Sequence, residues 1–192
     1  MKTILFGSNN KNKLSEIKYI LDCFNILSPD DFGIDENPHE YGESFEENAI
    51  IKARFYGERS GIECLADDSG LSIDVLEGLP GIHSARFAGN AMDNINRVKE
   101  MLKNIPVPER TAHFICVIAY FNPENNTVFT AKGSVDGLII DELRGENGFG
   151  YDPIFYYEPL KKTFAEIESA AKNRLSHRYN AIIKMKDFLR RL

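Results

Sequence analysis

Residues 3–24 read TILFGSNNKNKLSEIKYILDCF and carry the clearest fold signal of the chain. The apolar run from Thr3 to Phe6 predicts a short buried strand that ends at Gly7. Polar residues able to cap a helix follow. Apolar side chains then recur at helical intervals, at Leu14, Ile17, Leu21 and Phe24. The segment is therefore predicted to run strand, polar loop, helix, which is the typical opening of an α/β protein.

Helix and strand patterns continue to alternate along the rest of the chain. Helices are predicted from a capping box at Ser44-Phe45-Glu46-Glu47 to about Gly57 or Gly61, from about Asn94 to Leu102, and from a cap at Ser176 to the C-terminus. Strands are predicted over Ile62 to Ala66, Leu71 to Val75, Ala112 to Phe121, Thr127 to Lys132 and Ile154 to Tyr157. The first four strands of this list form two predicted hairpins, so the fold class is α/β with a mixed sheet.

Composition limits the class of protein further. A length of 192 residues suits one domain, or one domain with a smaller lobe, and can bury a core without metal or disulfides. A net charge of −6 argues against non-specific binding to nucleic acid or anionic membranes. The three cysteines form no close pair, which suits a reducing compartment. The apolar run at the N-terminus is too short for a signal peptide or membrane span. We therefore expect a cytoplasmic protein with no nucleic-acid or membrane partner.

Two groups of polar residues indicate a phosphate site and a metal site. The loop Ser8-Asn9-Asn10-Lys11-Asn12-Lys13 precedes a predicted helix, where backbone N–H groups and lysines favour an anion. An ordinary solvated cap is the alternative. Asp67 and Asp68 follow an apolar strand on opposite faces, so one of them can hold a hard cation such as Mg²⁺. A plain turn from Asp67 to Gly70 is the alternative there. Lys52 lies on the apolar face of its helix, an unusual place for a lysine.

Aromatic and basic residues near the C-terminus indicate a binding site for a base. Phe149 and Tyr151 flank Gly150 in a glycine-rich loop, where their rings can stack on a base or close the core. A basic cluster opens the last helix, although cations oppose the helix dipole there: Lys172, Arg174, His177 and Arg178. Phosphate ligands, carboxylates and aromatic rings together make an inventory for a nucleoside triphosphate bound with a metal ion.

Several motifs, in order along the whole chain, closely resemble those of the inosine/xanthosine triphosphate pyrophosphatases, which act on non-canonical purine nucleotides. They are Ser8-Asn9-Asn10-x-x-Lys13, Ser44 to Ala49 with Lys52-Ala53, Ala66 to Leu71, Pro80 to Arg86, Gly148 to Pro153, and Ser176-His177-Arg178. The resemblance implies one domain over residues 1–192, an elongated mixed sheet with flanking helices, and two lobes around a central nucleotide-binding cleft. It implies a homodimer that uses Mg²⁺ to hydrolyse ITP, dITP and XTP to the monophosphate plus pyrophosphate, which cleanses the nucleotide pool.

The same resemblance implies roles for individual residues. Ser8 to Lys13 would bind the triphosphate with the help of Lys52. Glu40 and Asp68 would hold the metal, and Asp68 would also orient or deprotonate the attacking water. The remaining substrate contacts would come from Ser69, Phe149, Gly150, Tyr151, Asp152, Lys172, His177 and Arg178, most of them to the base. The chain departs from the family pattern at Asn12, where glycine is common, and at His83, where tyrosine is more familiar.

Two other functions fit the same inventory. One is a pyrophosphatase for other modified nucleotides, as in the Maf-type enzymes. The other is a nucleotide-binding module without catalytic activity, for which nucleotide affinity would depend on Mg²⁺ but no turnover would occur.

Overall fold

The structure is a computed structural model that describes all residues, Met1–Leu192. Its strands are β1 (Thr3–Phe6), β2 (Asn25–Leu27), β3 (Cys64–Ile73), β4 (Thr111–Asn122), β5 (Thr127–Ile139), β6 (Phe155–Tyr157) and β7 (Lys162–Thr163). They form one seven-stranded sheet in the order β2-β1-β3-β4-β5-β6-β7. Strand β1 is parallel to β2 and β3, whereas β6 is antiparallel to β5 and β7. The mixed sheet predicted from the sequence is confirmed.

Five α-helices accompany the sheet. They are α1 (Lys11–Ile20), α2 (Phe45–Ser60), α3 (Ala91–Leu102), α4 (Ser169–Leu175) and α5 (His177–Leu189). Helix α1 is capped by Asn10, whose side chain accepts the backbone N–H groups of Asn12 and Lys13. Helix α2 is capped by Ser44, as predicted, and ends at Gly61 in a left-handed conformation. None of the helices has the length and apolar character needed to cross a membrane.

Strand β3 differs most from the sequence prediction. The pattern predicts two strands joined by a turn at Asp67 to Gly70, but the structure has one continuous strand, Cys64–Ile73. Asp67 and Asp68 are only 1% and 8% exposed, and each forms an ion pair with a lysine. These tertiary ion pairs outweigh the turn preference of the local sequence, because tertiary context strongly affects whether a segment forms a strand. The carboxylates therefore lie within a strand, on its two faces.

The two predicted hairpins have different outcomes. The first is wrong, because β3 does not turn. The second is present: four residues, 123–126, connect β4 to β5, a connection that requires antiparallel strands. Strand β5 also extends beyond the predicted end at Lys132 to Ile139. The last helix begins at His177, after a separate short helix α4, so Ser176 lies between two helices.

The chain divides into two compact units. Unit 1 comprises Met1–Asp68, Cys116–Gly133 and Arg178–Leu192, and unit 2 comprises Ser69–Ile115 and Ser134–His177. The main core of unit 1 packs apolar residues of α1 and α5, such as Ile17 and Met185, with strand residues such as Phe6. The core of unit 2 combines Val98 of α3 with aromatic residues such as Phe155. Each unit therefore buries its own apolar surface.

Candidate active site

A buried cluster of charge surrounds Lys52 of helix α2 in unit 1. The ammonium nitrogen lies 3.1 Å from Glu40 Oε1 and 2.7 Å from Asp68 Oδ1. Burial by itself lowers the pKa of Lys52, but the carboxylates of Asp68 and Asp67 outweigh it, so the pKa is raised and the amine stays charged. Burial raises the pKa of Asp68, and the neighbouring Lys52 offsets part of that rise. The structure thus brings together three predicted site residues, Glu40, Lys52 and Asp68.

Asn48 is a member of this cluster that the sequence analysis missed. Its Nδ2 donates to Asp68 Oδ2 at 3.4 Å, and its Oδ1 accepts the backbone N–H of Gly42 at 2.9 Å. A Cβ at position 42 would lie 2.7 Å from Asn48 Oδ1, so only glycine allows the loop to approach this closely. Asn48 therefore ties Asp68 to the loop that carries Glu40. The sequence does contain a signal for Asn48, because this asparagine lies one helical turn before Lys52 on a helix face that is otherwise apolar.

The Glu40–Asp68 pair has the chemistry of a magnesium site. Carboxylate oxygens are the hard donors that Mg²⁺ prefers, and the ion commonly binds one or two carboxylates together with substrate phosphates. The Lys52 ammonium already contacts one oxygen of each carboxylate, so the pair accepts a cation. No group of three or more His, Cys, Asp or Glu side chains is arranged to hold a metal. Glu40 and Asp68 could therefore hold Mg²⁺ only if phosphate oxygens and water complete its coordination.

The predicted phosphate-binding segment spans a loop and the start of α1. Ser8, Asn9 and Asn10 precede the helix, and Lys11 to Lys13 form its first turn. That turn contains no acidic residue, so nothing acidic within it offsets the positive end of the helix dipole. Asn12 is an ordinary helical residue and does not need the left-handed conformation that glycine would allow. The segment therefore keeps the form expected for an anion site despite the departure at Asn12.

Lys13 belongs to a network of four charged side chains linked by ion pairs. Asp67 Oδ2 lies 3.0 Å from Lys13 Nζ and 3.3 Å from Arg178 Nε. Arg178 also binds Glu16, which lies one turn after Lys13 on α1, with an NH1–Oε2 distance of 2.7 Å. Burial raises the pKa of Asp67, but Lys13 and Arg178 outweigh it and hold that pKa far below its usual range. The network joins α1, β3 and the start of α5.

The two aromatic residues predicted to stack on a base have different environments in unit 2. Phe149 is 41% exposed, whereas Tyr151 is 5% exposed and belongs to the apolar core of the unit. The Tyr151 hydroxyl donates to the carbonyl of Ser84 at 2.9 Å, and burial raises the pKa of this phenol. Gly150, between them, has a φ of +61°, which glycine adopts without strain. Only Phe149 presents a ring from which a base could gain stacking energy.

A buried ion pair lies beside Phe149. The Lys172 ammonium donates to Asp152 Oδ2, and the same oxygen accepts the backbone N–H of Phe149 at 2.8 Å. Lys172 Nζ also lies 5.0 Å from the centre of the Phe149 ring, within cation–π range. His177 is 7% exposed and stacks on Phe114, with 5.0 Å between ring centres. Asp152 and Lys172 therefore hold the backbone of Phe149 in place.

The remaining predicted positions are less distinctive. Ser69 is half-buried in β3, directly after Asp68. His83, the second departure from the family pattern, is exposed. Its neighbour Ser84 is buried and accepts the backbone N–H of Leu71 at 2.8 Å through its hydroxyl. The Pro80 to Arg86 motif thus contributes a structural contact through Ser84.

Comparison with known proteins places these motifs in a family. The sequence profile of the Ham1 family matches residues 4–188. A protein of Desulforamulus reducens named dITP/XTP pyrophosphatase is 44% identical over 197 residues, which covers 100% of this chain and 97% of that protein. A protein of the same name from Clostridium perfringens is 46% identical over 202 residues, covering 99% and 98%.

Solved structures agree with this placement. The Ham1 protein of Staphylococcus aureus superposes with a TM-score of 0.90 at 40% identity and covers 98% of both chains. A HAM1 protein from Coxiella burnetii superposes with a TM-score of 0.92 at 38% identity over the full length of both. The α/β fold with its mixed sheet is therefore shared with these proteins.

Proposed function

The chain belongs to the Ham1 family, and from that premise we propose that it hydrolyses dITP, ITP and XTP to the nucleoside monophosphate plus pyrophosphate. The names of its relatives support this substrate class, since proteins more than 40% identical over nearly their whole length are called dITP/XTP pyrophosphatases. The observation that carries the proposal is the buried cluster in which Lys52 joins Glu40 to Asp68. Such a cluster suits hydrolysis of a phosphoric anhydride, because the reaction needs both a cation site and a carboxylate that can act on water.

In this proposal, the cluster in unit 1 acts at the triphosphate. Glu40 and Asp68 would hold Mg²⁺, which when bound neutralises phosphate charge and lowers the pKa of coordinated water. Asp68 would orient or deprotonate the water that attacks the α-phosphorus. Lys13 and Lys52 would stabilise the charge that builds up on the leaving pyrophosphate. Ser8 to Asn12 would bind phosphate oxygens through backbone and side-chain donors.

Residues of unit 2 would bind the base. Phe149 supplies the exposed ring for stacking, and Asp152 with Lys172 fixes its backbone. A 6-keto purine presents an acceptor where adenine presents an amine, so side chains that only donate, such as Lys172 and Arg178, favour the keto form. Ser69, His177 and the Gly150–Tyr151 backbone complete the proposed contacts.

Replacing Arg178 by lysine tests its part in base reading. Lysine keeps a positive charge beside Asp67 but loses the forked donor geometry of the guanidinium. The ratio of kcat/KM for ITP over that for ATP should therefore fall in Arg178→Lys. An unchanged ratio would remove Arg178 from base selection and leave it with its ion pairs to Asp67 and Glu16 alone.

We further propose that residues 1–192 act as one pyrophosphatase domain in a cytoplasmic homodimer with no nucleic-acid partner. The family profile supports one domain, because its match runs almost from end to end. The net charge of −6 supports a small-molecule substrate over a polyanion. Light scattering of the pure protein tests the assembly, and a single species of monomer mass would contradict the dimer.

A substrate panel tests the activity. The protein is incubated with ITP, XTP, ATP, GTP and dUTP, with and without Mg²⁺, and the products are identified. Formation of IMP and pyrophosphate from ITP, with ATP and GTP nearly unchanged, is the expected result. Release of orthophosphate would place the attack at the γ-phosphorus. Preferential turnover of dUTP would favour a pyrophosphatase for other nucleotides, and binding without turnover would favour the non-catalytic module.

A further inference from the structure

The cation that bridges Glu40 and Asp68 is a side chain of the protein itself, Lys52. We propose that the Lys52 ammonium is a tethered counter-ion that holds these two carboxylates until the divalent cation arrives and then transfers to the substrate phosphates. This inference rests on the proposed function and specifies how one residue serves two steps of it. It predicts that Lys52 and a divalent cation compete for the same two carboxylates in the protein without nucleotide.

The charge balance of the cluster requires some cation there. Asp67 and Asp68 are adjacent and nearly buried, and Glu40 contacts the same ammonium as Asp68. Carboxylates that share a buried site repel each other, and one of them takes up a proton if no cation is present. The Lys52 ammonium, on a flexible four-carbon stem, offsets that repulsion by contacting both carboxylates.

Asn48 keeps the carboxylates in place when Lys52 leaves. Its amide binds Asp68 Oδ2, whereas Lys52 binds Oδ1, so the two contacts are independent. The same amide holds the backbone of Gly42 in the loop that carries Glu40. Withdrawal of the ammonium therefore leaves the hydrogen bonds of Asn48 to Asp68 and to the backbone of Gly42 in place. Asn48 is in this respect a positioning residue.

The nucleotide provides the reason for the transfer. Its phosphates bring oxygen ligands for the metal and a new anion for Lys52, and a lysine is a common phosphate ligand. Metal ion and nucleotide should consequently bind with positive cooperativity. The nucleotide draws Lys52 away from the carboxylates that the metal binds, and the metal neutralises the charge of the phosphates. Without nucleotide, the metal has to displace Lys52 while the ammonium gains no new partner.

The experiment is a titration of the full chain with Mn²⁺ in the absence of nucleotide, followed by electron paramagnetic resonance of the unbound ion. Lys52→Met keeps the length of the side chain and removes its charge. It should bind Mn²⁺ about tenfold more tightly than wild type, or better, because an ammonium beside a carboxylate weakens the binding of a second cation by at least that factor. Lys52→Arg keeps the charge and should stay near wild type. Lys18→Met, at an exposed position of α1, matches the change in net charge and should also stay near wild type.

Two further variants secure the interpretation. Adding Glu40→Gln to Lys52→Met should abolish the gain in Mn²⁺ affinity, because the bound Mn²⁺ then lacks one of its two carboxylates. Lys52→Gln provides a second neutral side chain if circular dichroism shows that Lys52→Met is unfolded. Mn²⁺ affinity in folded Lys52→Met or Lys52→Gln that equals or falls below wild type would overturn the inference.

The titration is separate from the test of activity. A wild-type protein without turnover on the nucleotide panel would refute the proposed function, even if Lys52→Met gains Mn²⁺ affinity. Turnover with the expected products and no gain in Lys52→Met would refute only the role of Lys52 as a competing counter-ion.

Discussion

The two units of the molecule carry different kinds of candidate site residue. In unit 1 an exposed polar loop precedes α1, and charged residues form two groups of ion pairs around the buried Asp67 and Asp68. In unit 2 the candidate site residues include aromatic side chains, with one exposed ring at Phe149, and one buried ion pair between Asp152 and Lys172. A triphosphate needs fixed charges, whereas a purine base needs a flat surface with few polar contacts. The contrast predicts that changes at the charged residues of unit 1, apart from Arg178, act on turnover and stability, and that changes in unit 2 act on nucleotide affinity and base choice.

The buried charges of unit 1 contribute unfavourably to the stability of the fold through desolvation. Removing two charges from water costs several kcal/mol per ion, so buried ion pairs contribute little net stability. Their cost is offset only when each charge keeps a partner. The two groups of ion pairs are therefore better explained by the chemistry they make possible than by the fold they hold together.

The largest effect is expected from Asp68→Asn. The amide keeps the shape of the side chain but cannot take a proton or supply an anionic oxygen, so kcat should fall about 10²–10⁴-fold with KM little changed. Steady-state kinetics with ITP and Mg²⁺ measures both values. Asp30→Asn, an exposed position in unit 1, is the matched control. Turnover near wild type in Asp68→Asn would take this residue out of the catalytic step.

The next effect is expected from Asp67→Asn, on stability. The substitution leaves Lys13 and Arg178 in place without the anion that both contact. Loss of one member of a buried ionic group costs about 3–5 kcal/mol of unfolding free energy. Urea denaturation of the variant and of Asp30→Asn gives the difference. A loss below about 1 kcal/mol, the range of exposed ion pairs, would show that this network does not behave as a buried one.

A smaller effect is expected from Phe149→Ala in unit 2. Loss of one stacking ring should cost about 1–3 kcal/mol of nucleotide binding, seen as a higher KM for ITP with kcat nearly kept. Leu160→Ala is a suitable control, because Leu160 is a 47% exposed apolar residue of the same unit. If KM stays constant while kcat drops, the division of labour between the units is wrong.

The smallest effect concerns an exposed ionic cluster in unit 2, which tests whether burial is what makes the unit 1 groups important. His113 lies 2.8 Å from Asp136 and 3.1 Å from Asp74. The hydrogen bond to Asp136 raises its pKa above the ordinary value of 6.5, burial opposes that rise, and the hydrogen bond to Asp74 adds to it. Both carboxylates are more than half exposed, so the cluster should contribute less than about 1 kcal/mol.

The direction of the pH dependence follows from the raised pKa. The contribution of His113 to the unfolding free energy is complete below pH 6.5, where the imidazole is protonated in both the folded and the unfolded state. It is lost as the pH rises through the higher pKa of the folded protein. The unfolding free energy of wild type should therefore exceed that of His113→Gln at about pH 6 and approach it at about pH 9. A difference that grows with pH would contradict the assignment.

Local patterns were sufficient for the elements with strong periodicity and caps. Strand β1 and helices α1 and α2 were predicted because their signals lie within a few neighbouring residues. Strands β2 and β7 were missed because they have only three and two residues, too few for a pattern to show. Helix α4, which ends directly before Ser176, was missed for a similar reason, since it has only seven residues.

Features that depend on distant partners were out of reach. The turn at Asp67 to Gly70 was the natural local prediction, and it is wrong because Lys13, Lys52 and Arg178 satisfy the carboxylates within a strand. For the candidate site, the sequence indicated which residue types to expect. It did not indicate that Arg178 contacts Glu16 or that Asn48 binds Asp68, because these pairs are 162 and 20 residues apart.

Hydrolysis of dITP in ¹⁸O-labelled water, with Mg²⁺ present, tests the central claim most directly. If the charged cluster of unit 1 directs water to the α-phosphorus, mass spectrometry of a single turnover will find the label in dIMP and none in pyrophosphate. Label in pyrophosphate would place the attack at the β-phosphorus, and label in orthophosphate would place it at the γ-phosphorus. Either of the last two results would contradict the account of how Asp68, Glu40 and Lys52 are used.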